Sequence, residues 1–209
     1  MEIEGKTILE YILERISVSK LANQIIVCTS DQTSDDPIIE FCKEKQIDWF
    51  RGSLDNVSKR FLNCAEYFQL DYAVRVNGDN LFTDANLIDH AIELANEGDY
   101  DFVSNVDQRT FPTGMSVEVI RTKTYQSFYS EIETQPDWRE HVTLYFYQNT
   151  KSFKILFFYN TSLPAARGYK LALDTMEDFE KAKKIIHQLN GLLPSHSWEE
   201  IVTLSLKNV

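Results

Sequence analysis

The sequence predicts an α/β fold built on a mostly parallel sheet, and three observations predict it. Between residues 6 and 98, amphipathic helical periods alternate with short apolar runs in the order α-β-α-β-α-β-α, with short connections, as parallel strands joined by helical crossovers require. The run Gln24 to Thr29 (QIIVCT) is continuously apolar, the pattern of a strand covered on both faces. The stretch Asp71 to Asp84 (DYAVRVNGDNLFTD) reads as a strand that breaks at Gly78, presents Asp79 on a turn and feeds a helix. In open α/β sheets ligands lie outside the carboxyl ends of the strands, where Asp79 would sit.

The elements follow in order. Lys6 to Ser19 reads as a helix with Ile8, Leu9, Ile12, Leu13 and Ile16 on one face. The Gln24 strand comes next, then a polar loop (Ser30 to Asp36) and a short helix opened by Pro37, whose missing N–H costs nothing there. Ile47 to Phe50 is a strand followed by the turn RGSLDN, and Asn56 to Phe68 a helix with Val57, Phe61, Leu62, Ala65 and Phe68 inward. In the next strand Tyr72, Val74 and Val76 share one face, and Asp84 caps the helix beyond. After Gly98 the rhythm loosens. Strands are expected at Asp101–Asn105, Ser116–Arg121, Phe153–Tyr159 and Tyr169–Leu173, and helices at Thr122–Glu133, Trp138–Gln148, Met176–Leu189 and Trp198–Leu206. No linker or repeat interrupts the chain, so residues 1–209 read as a single domain, with Ser104 to Asn149 as an excursion from the main sheet.

Composition narrows the function. The chain has 209 residues, 43% hydrophobic and 25% charged, in the range of an ordinary globular domain. A formal net charge of −11 with no Lys/Arg cluster argues against nucleic acid or an anionic membrane as partner. It leaves a nucleotide substrate open, because a bound Mg²⁺ would carry the local positive charge. Cys28, Cys42 and Cys64 are widely spaced and odd in number, as expected of reduced core thiols in a cytoplasmic protein. No apolar run is long enough to span a bilayer.

Two carboxylates stand where strands end. Asp79 and Asp174 (in LALDTMEDFEKA) could share one Mg²⁺ against the phosphates of a nucleotide. The plainer alternatives are that Asp79 is a turn residue and that Asp174 or Thr175 caps a helix favoured by Glu177 and Asp178. In RGSLDNVSKRF, Gly52 and Ser53 permit a tight turn near a ligand, with Arg51 and Arg60 placed to meet phosphate or base, or else the stretch is only a capped helix start. Arg139, Glu140 and His141 adjoin one another, but neighbours on a helix face different ways, and no H-E-x-x-H occurs.

Taken together, RGSLDNVSKRF, VRVNGDNLFTD, SNVDQRTFPTGMSVEV, REHVT and LALDTMEDFEKA resemble, in order, the bacterial spore-coat polysaccharide-type cytidylyltransferases, relatives of the CMP-sialate and CMP-Kdo synthetases. The resemblance covers nearly the whole chain from Gly5 onward. It implies a three-layer α/β/α Rossmann-like nucleotide-diphospho-sugar transferase fold. It also implies Mg²⁺-dependent transfer of CMP from CTP to a sugar or sugar acid for a surface polysaccharide, with release of pyrophosphate. By it, Asp79 and Asp174 are catalytic metal carboxylates, and Arg51, Ser53, Arg60, Arg75 and Asn77 lie on the nucleotide side. Arg109, Glu118 and His141 lie on the sugar side.

The chain departs from the family pattern. Members open with a strand and a triphosphate loop of the form A-R-x-G-S-x-R-L-P-G-K, which this sequence lacks. The expectation is therefore a sheet without the strand between the Gln24 and Asp71 strands, and a chain of this length that binds CTP weakly or not at all and releases no pyrophosphate. Gly78-Asp79-Asn80-Leu81 replaces the frequent Gly-Asp-Cys-Pro, and Ser116 a frequent Asp. Two rival functions are a sugar-nucleotide glycosyltransferase, for which Asp99-Tyr100-Asp101 is the D-x-D candidate, and a non-catalytic binding homologue. Aromatic residues concentrated in Ser104 to Asn149, among them Phe111, Tyr125, Phe128, Trp138 and Tyr147, suggest a homodimer interface there.

Overall fold

The computed structural model describes residues 1–207. It opens in a hairpin, β1 (Glu2–Ile3) antiparallel to β2 (Lys6–Thr7), turned by Gly5 at φ 79°. The first helix, α1 (Ile8–Ile16), therefore starts two residues later than its period suggests, with Thr7 as its cap. Lys6 belongs to the hairpin and pairs with Glu14 at 2.7 Å. The expected alternation follows: β3 (Ile26–Ser30), α2 (Asp36–Lys45), β4 (Asp48–Gly52), α3 (Val57–Tyr67), β5 (Tyr72–Arg75) and α4 (Ala85–Gly98). Asn56 caps α3 and Asp84 caps α4 through their side chains.

The second half departs from the expected elements. After β6 (Phe102–Ser104) and β7 (Glu118–Arg121), the two long helices expected there are four short ones. They are α5 (Thr122–Ser127), α6 (Tyr129–Ile132), α7 (Pro136–Glu140) and α8 (Leu144–Gln148). Their aromatic residues Tyr125, Tyr129, Tyr145 and Phe146 are buried, while α7 buries no residue. β8 (Ile155–Phe157), α9 (Met176–Gln188) and α10 (Trp198–Leu206) complete the chain.

The fold is the expected α/β, but the sheet differs in two ways. β3 and β4 pair in parallel as a separate two-stranded piece, and among the described residues no ladder joins β3 to β5. The four-stranded piece has the order β5-β7-β6-β8, with β7 antiparallel to both neighbours and β6 parallel to β8. The segment expected as an excursion thus returns to the sheet and supplies an inner strand. Because β3 has a partner on one side only, helices cover it incompletely. Ile26 and Val27 are half-buried and Cys28 is exposed, against the expectation of a core thiol, while Cys42 and Cys64 are buried.

Side chains alternate between faces along a strand and align across paired strands. On one face Val103 and Val119, with Val74 and Leu156, meet Tyr11, Ile12, Ile88, Ala91, Ile185 and Ile201. On the other, Phe102 and Ile120 meet Leu62, Tyr125, Tyr129, Tyr145 and Phe146, and Phe102 stacks on Phe146 at 4.8 Å. Of the aromatics that suggested a dimer interface, Phe111 and Tyr125 are buried in the chain's own core, and Phe128, Trp138 and Tyr147 are half-buried against it. No helix among the described residues is long and apolar enough to cross a membrane.

One buried ion pair fixes the turn after β5. Arg15, 2% exposed, donates to Asp84 Oδ2 at 3.2 Å and to the carbonyls of Phe82, Leu193 and His196. Asp84 Oδ2 also accepts the Trp198 N–H at 2.7 Å. α1, the start of α4 and the start of α10 are thereby tied together, and residues 76–84 rest on a rigid anchor.

Candidate active site

The last residue of β5 begins a row across the sheet. Register places Arg75 opposite Glu118, Glu118 opposite Ser104, and Ser104 opposite Phe157, so these four side chains share a face at the carboxyl ends of β5, β6 and β8. Arg75 Nη1 donates to Glu118 Oε2 at 2.9 Å. Tyr147, from α8, stacks on Phe157 with centroids 5.9 Å apart and brings its hydroxyl into the row. That hydroxyl donates to Glu118 Oε1 at 2.8 Å and lies 2.6 Å from Ser104 Oγ, which also accepts the Val106 N–H. Glu118 is 3% exposed and has both oxygens engaged. Burial drives the Tyr147 phenol well above its ordinary range and the Glu118 carboxylate adds to the shift, while Arg109 is near enough to oppose it.

Beyond β5 the turn carries Asp79 and Asn80. Asp79 Oδ1 and Asn80 Nδ2 are buried and have no hydrogen-bond partner among the described residues. The Asp79 carbonyl accepts the Leu173 N–H at 3.1 Å, so Asp79 and Asp174 lie on hydrogen-bonded neighbouring segments although far apart in sequence. The segment Tyr169–Leu173 is not the expected strand. It is extended chain docked on the Thr110–Gly114 turn, through Thr113 N–H to the Tyr169 carbonyl at 2.9 Å and Leu171 N–H to the Thr113 carbonyl at 2.8 Å. Gly114 permits this docking. It has φ 98°, and a Cβ there would stand 2.4 Å from the Ala172 nitrogen.

Asp174 is half-exposed and pairs with Lys170 at 2.9 Å. Lys170 also binds Asp178 at 2.6 Å, and this ion pair, with the Thr175 hydroxyl and nearby N–H groups, holds the Asp178 carboxyl down at about 2. Thr175, not Asp174, caps α9, in a capping box closed by Asp178. Asp174 is therefore free of capping duty.

Arg51 in β4, Ser53 in the loop after it and Arg60 in α3 are occupied in building the sheet edge around β4. Arg51 donates to the carbonyls of Ser30 and Gln32 and to Asp36. Ser53 Oγ accepts the Asn56 N–H, and Arg60 Nη1 donates to the Ser53 carbonyl at 2.7 Å. Arg51, Ser53 and Arg60 thus shape the edge of the β3–β4 piece, which no ladder among the described residues connects to Arg75. Asn77 is half-buried, and its carbonyl accepts the Asn80 N–H at 3.1 Å. Arg109 is exposed, and it and Gln108 occupy the left-handed region at φ 49° and 56°. His141 is exposed at the end of α7. The D-x-D carboxylates are used elsewhere: Asp99 pairs with Arg121, and Asp101 accepts from Thr124 and the Lys154 N–H.

The residues of the turn suit a magnesium ion in one respect. An ionised carboxylate oxygen that is buried and unpartnered is costly, and a cation would satisfy it. Among the described residues no group of three or more His, Cys, Asp or Glu could hold a metal. An ion here would rest on Asp79, Asp174 and oxygens from water and phosphate, the usual Mg²⁺ coordination. Periodicity singled out neither Tyr147 nor Ser104 as a site residue, because only the register of β6, β7 and β8 brings them to Glu118.

Comparison with known proteins accords with this geometry. The family model described as cytidylyltransferase matches residues 1–206. A cytidylyltransferase structure from Leptospira borgpetersenii superposes with a TM-score of 0.90 at 31% identity, covering 100% of this chain and 86% of that one. The spore coat polysaccharide biosynthesis protein SpsF of Bacillus subtilis is 29% identical over 208 residues, 96% of this chain and 84% of that protein. A CMP:2-keto-3-deoxy-manno-octonic acid synthetase complexed with CTP shares the fold, with a TM-score of 0.64 at 12% identity over 90% of each chain. The family model over residues 1–206 and the superposition on the Leptospira structure lead to one conclusion: the chain is a nucleotidyltransferase and belongs to the cytidylyltransferase family.

Proposed function

We propose that this protein transfers CMP from CTP to a sugar or sugar acid, releasing pyrophosphate, and that the product serves a surface polysaccharide. The observation that carries the reading is the buried, unpartnered Asp79 Oδ1 on a turn hydrogen-bonded to the segment that ends in Asp174. Mg²⁺ is the proposed cofactor, held by Asp79 and Asp174. When bound, it would offset negative charge on the phosphate oxygens. The acceptor class and the polysaccharide role draw support from the names of SpsF and the octonic acid synthetase.

In this reading a sugar oxygen attacks the α-phosphorus in line with the departing pyrophosphate, and the protein contributes mainly position. The Asp79 turn is held by the Arg15–Asp84 anchor on one side and, through the Asp79 carbonyl, by Leu173 on the other, which fixes its backbone. Arg75 presents a guanidinium at the same strand end. The test is pyrophosphate release with CTP, other nucleoside triphosphates and a panel of sugars and sugar acids, with and without Mg²⁺. With the triphosphate loop lacking, any release should be slow, and it should require CTP, an acceptor and Mg²⁺. Release with CTP that needs neither acceptor nor Mg²⁺, or a clear preference for another nucleotide, would overturn the assignment.

A further inference from the structure

The row Arg75–Glu118–Ser104 with Tyr147 has a directionality that the proposed reaction does not use. Glu118 accepts one bond from Arg75 and one from Tyr147, and at 3% exposure it has no face for a substrate. The Tyr147 O–H donates to Glu118, so the Ser104 O–H donates to the Tyr147 oxygen, while Ser104 Oγ accepts the Val106 N–H. The donors converge on Glu118, from the backbone through Ser104 and Tyr147 on one side and from Arg75 on the other. Arg75 keeps Nε and Nη2 without a hydrogen bond among the described residues, and its side chain is 24% exposed. A guanidinium with one edge clamped and the other open, at the carboxyl end of β5, is a preorganised receptor for an oxyanion.

We propose that Tyr147, backed by Ser104, is a positioning residue: it holds Glu118, Glu118 holds Arg75, and the open edge of Arg75 binds an oxyanion of the substrate. This rests on the CMP-transfer reading, and it gives Glu118 a role through Arg75 in place of direct sugar contact. The oxyanion is a phosphate of the nucleotide or a carboxylate of the acceptor. The paired Glu118 cancels much of the Arg75 charge, so recognition rests on the geometry of the fork more than on net charge.

The experiment compares wild type, Tyr147→Phe, Glu118→Ala and the double variant. Pyrophosphate-release kinetics are varied in CTP and in acceptor, beside nitrogen-15 spectra of the arginine side chains. Tyr147→Phe should raise one substrate's KM about tenfold with kcat changed less than twofold. The substrate affected identifies the source, CTP for phosphate and acceptor for carboxylate. Because Tyr147 acts through Glu118, the double variant should lose no more than Glu118→Ala alone. In the spectra, the Arg75 guanidinium resonances should broaden in Tyr147→Phe while those of Arg15 stay sharp. Unchanged KM values for both substrates, additive losses, or an unmoved Arg75 signal would overturn the proposal. The spectra need no turnover, so an inactive wild type would count against the CMP-transfer reading and leave the Arg75 signal to decide this one.

Discussion

The two halves of the candidate site differ in how fully the protein satisfies its own polar groups. At the Arg75–Glu118 row both carboxylate oxygens are engaged and the side chains are locked between strands and α8. At the Asp79 turn a carboxylate oxygen is buried with no hydrogen-bond partner among the described residues, and Asp174 pairs with a half-exposed lysine. The first half is satisfied by the polypeptide except at the outer edge of Arg75, so it should contribute to stability as well as to binding. The second leaves a charge unanswered, which is how a protein reserves a place for something that is not protein. Substitutions in the row should therefore cost folding as well as binding, and substitutions at the turn should cost binding with little effect on folding.

Glu118→Ala should give the largest loss of stability. It leaves the half-buried Arg75 guanidinium and the Tyr147 hydroxyl without their partner, a loss of about 3 kcal/mol by analogy with broken buried pairs. Urea denaturation would measure it, and a loss below about 1 kcal/mol would mean that water replaces the carboxylate and the row is not locked. Gly114→Ala comes next. It combines a strained φ with a backbone clash, which should cost about 2 kcal/mol and loosen residues 169–174 from the turn. Hydrogen exchange at Leu171 and Leu173, whose amides bond to Thr113 and Asp79, should quicken, and unchanged protection would mean that the segment is held by other contacts.

The pH dependence of α9 comes third. Lys170, chiefly, holds the Asp178 carboxyl at about 2, below its ordinary 3.8. A depressed folded-state value means the stabilisation is complete above the unfolded value and is lost as pH falls toward 2. Asp178→Asn should flatten the decline of Tm between pH 4 and pH 2, and an identical acid limb would show that Asp178 is not responsible for it. The smallest effect on stability, within about 0.5 kcal/mol, belongs to Asp79→Asn, because it replaces a group whose buried oxygen makes no bond. That same variant should abolish Mg²⁺-dependent CTP binding in calorimetry. Retained binding would return Asp79 to the role of a turn residue and erase the contrast between the halves.

How much of this was legible in sequence follows the range of the interactions. α3, α4, α9 and α10 were readable because helical periodicity and caps such as Asn56 and Asp84 act within a few residues. The strand-then-carboxylate form of Asp71 to Asp84 was readable for the same reason, and the ordered motifs identified the family. Tertiary structure alone decided that β7 turns antiparallel between β5 and β6, that Arg75, Glu118 and Ser104 share a row, and that α8 delivers the Tyr147 hydroxyl to it. It also decided that Leu173 meets Asp79. Strands of three or four residues carry too little alternation to specify a partner or register. Their pairing is settled by which distant faces can be buried together, and no local pattern records that.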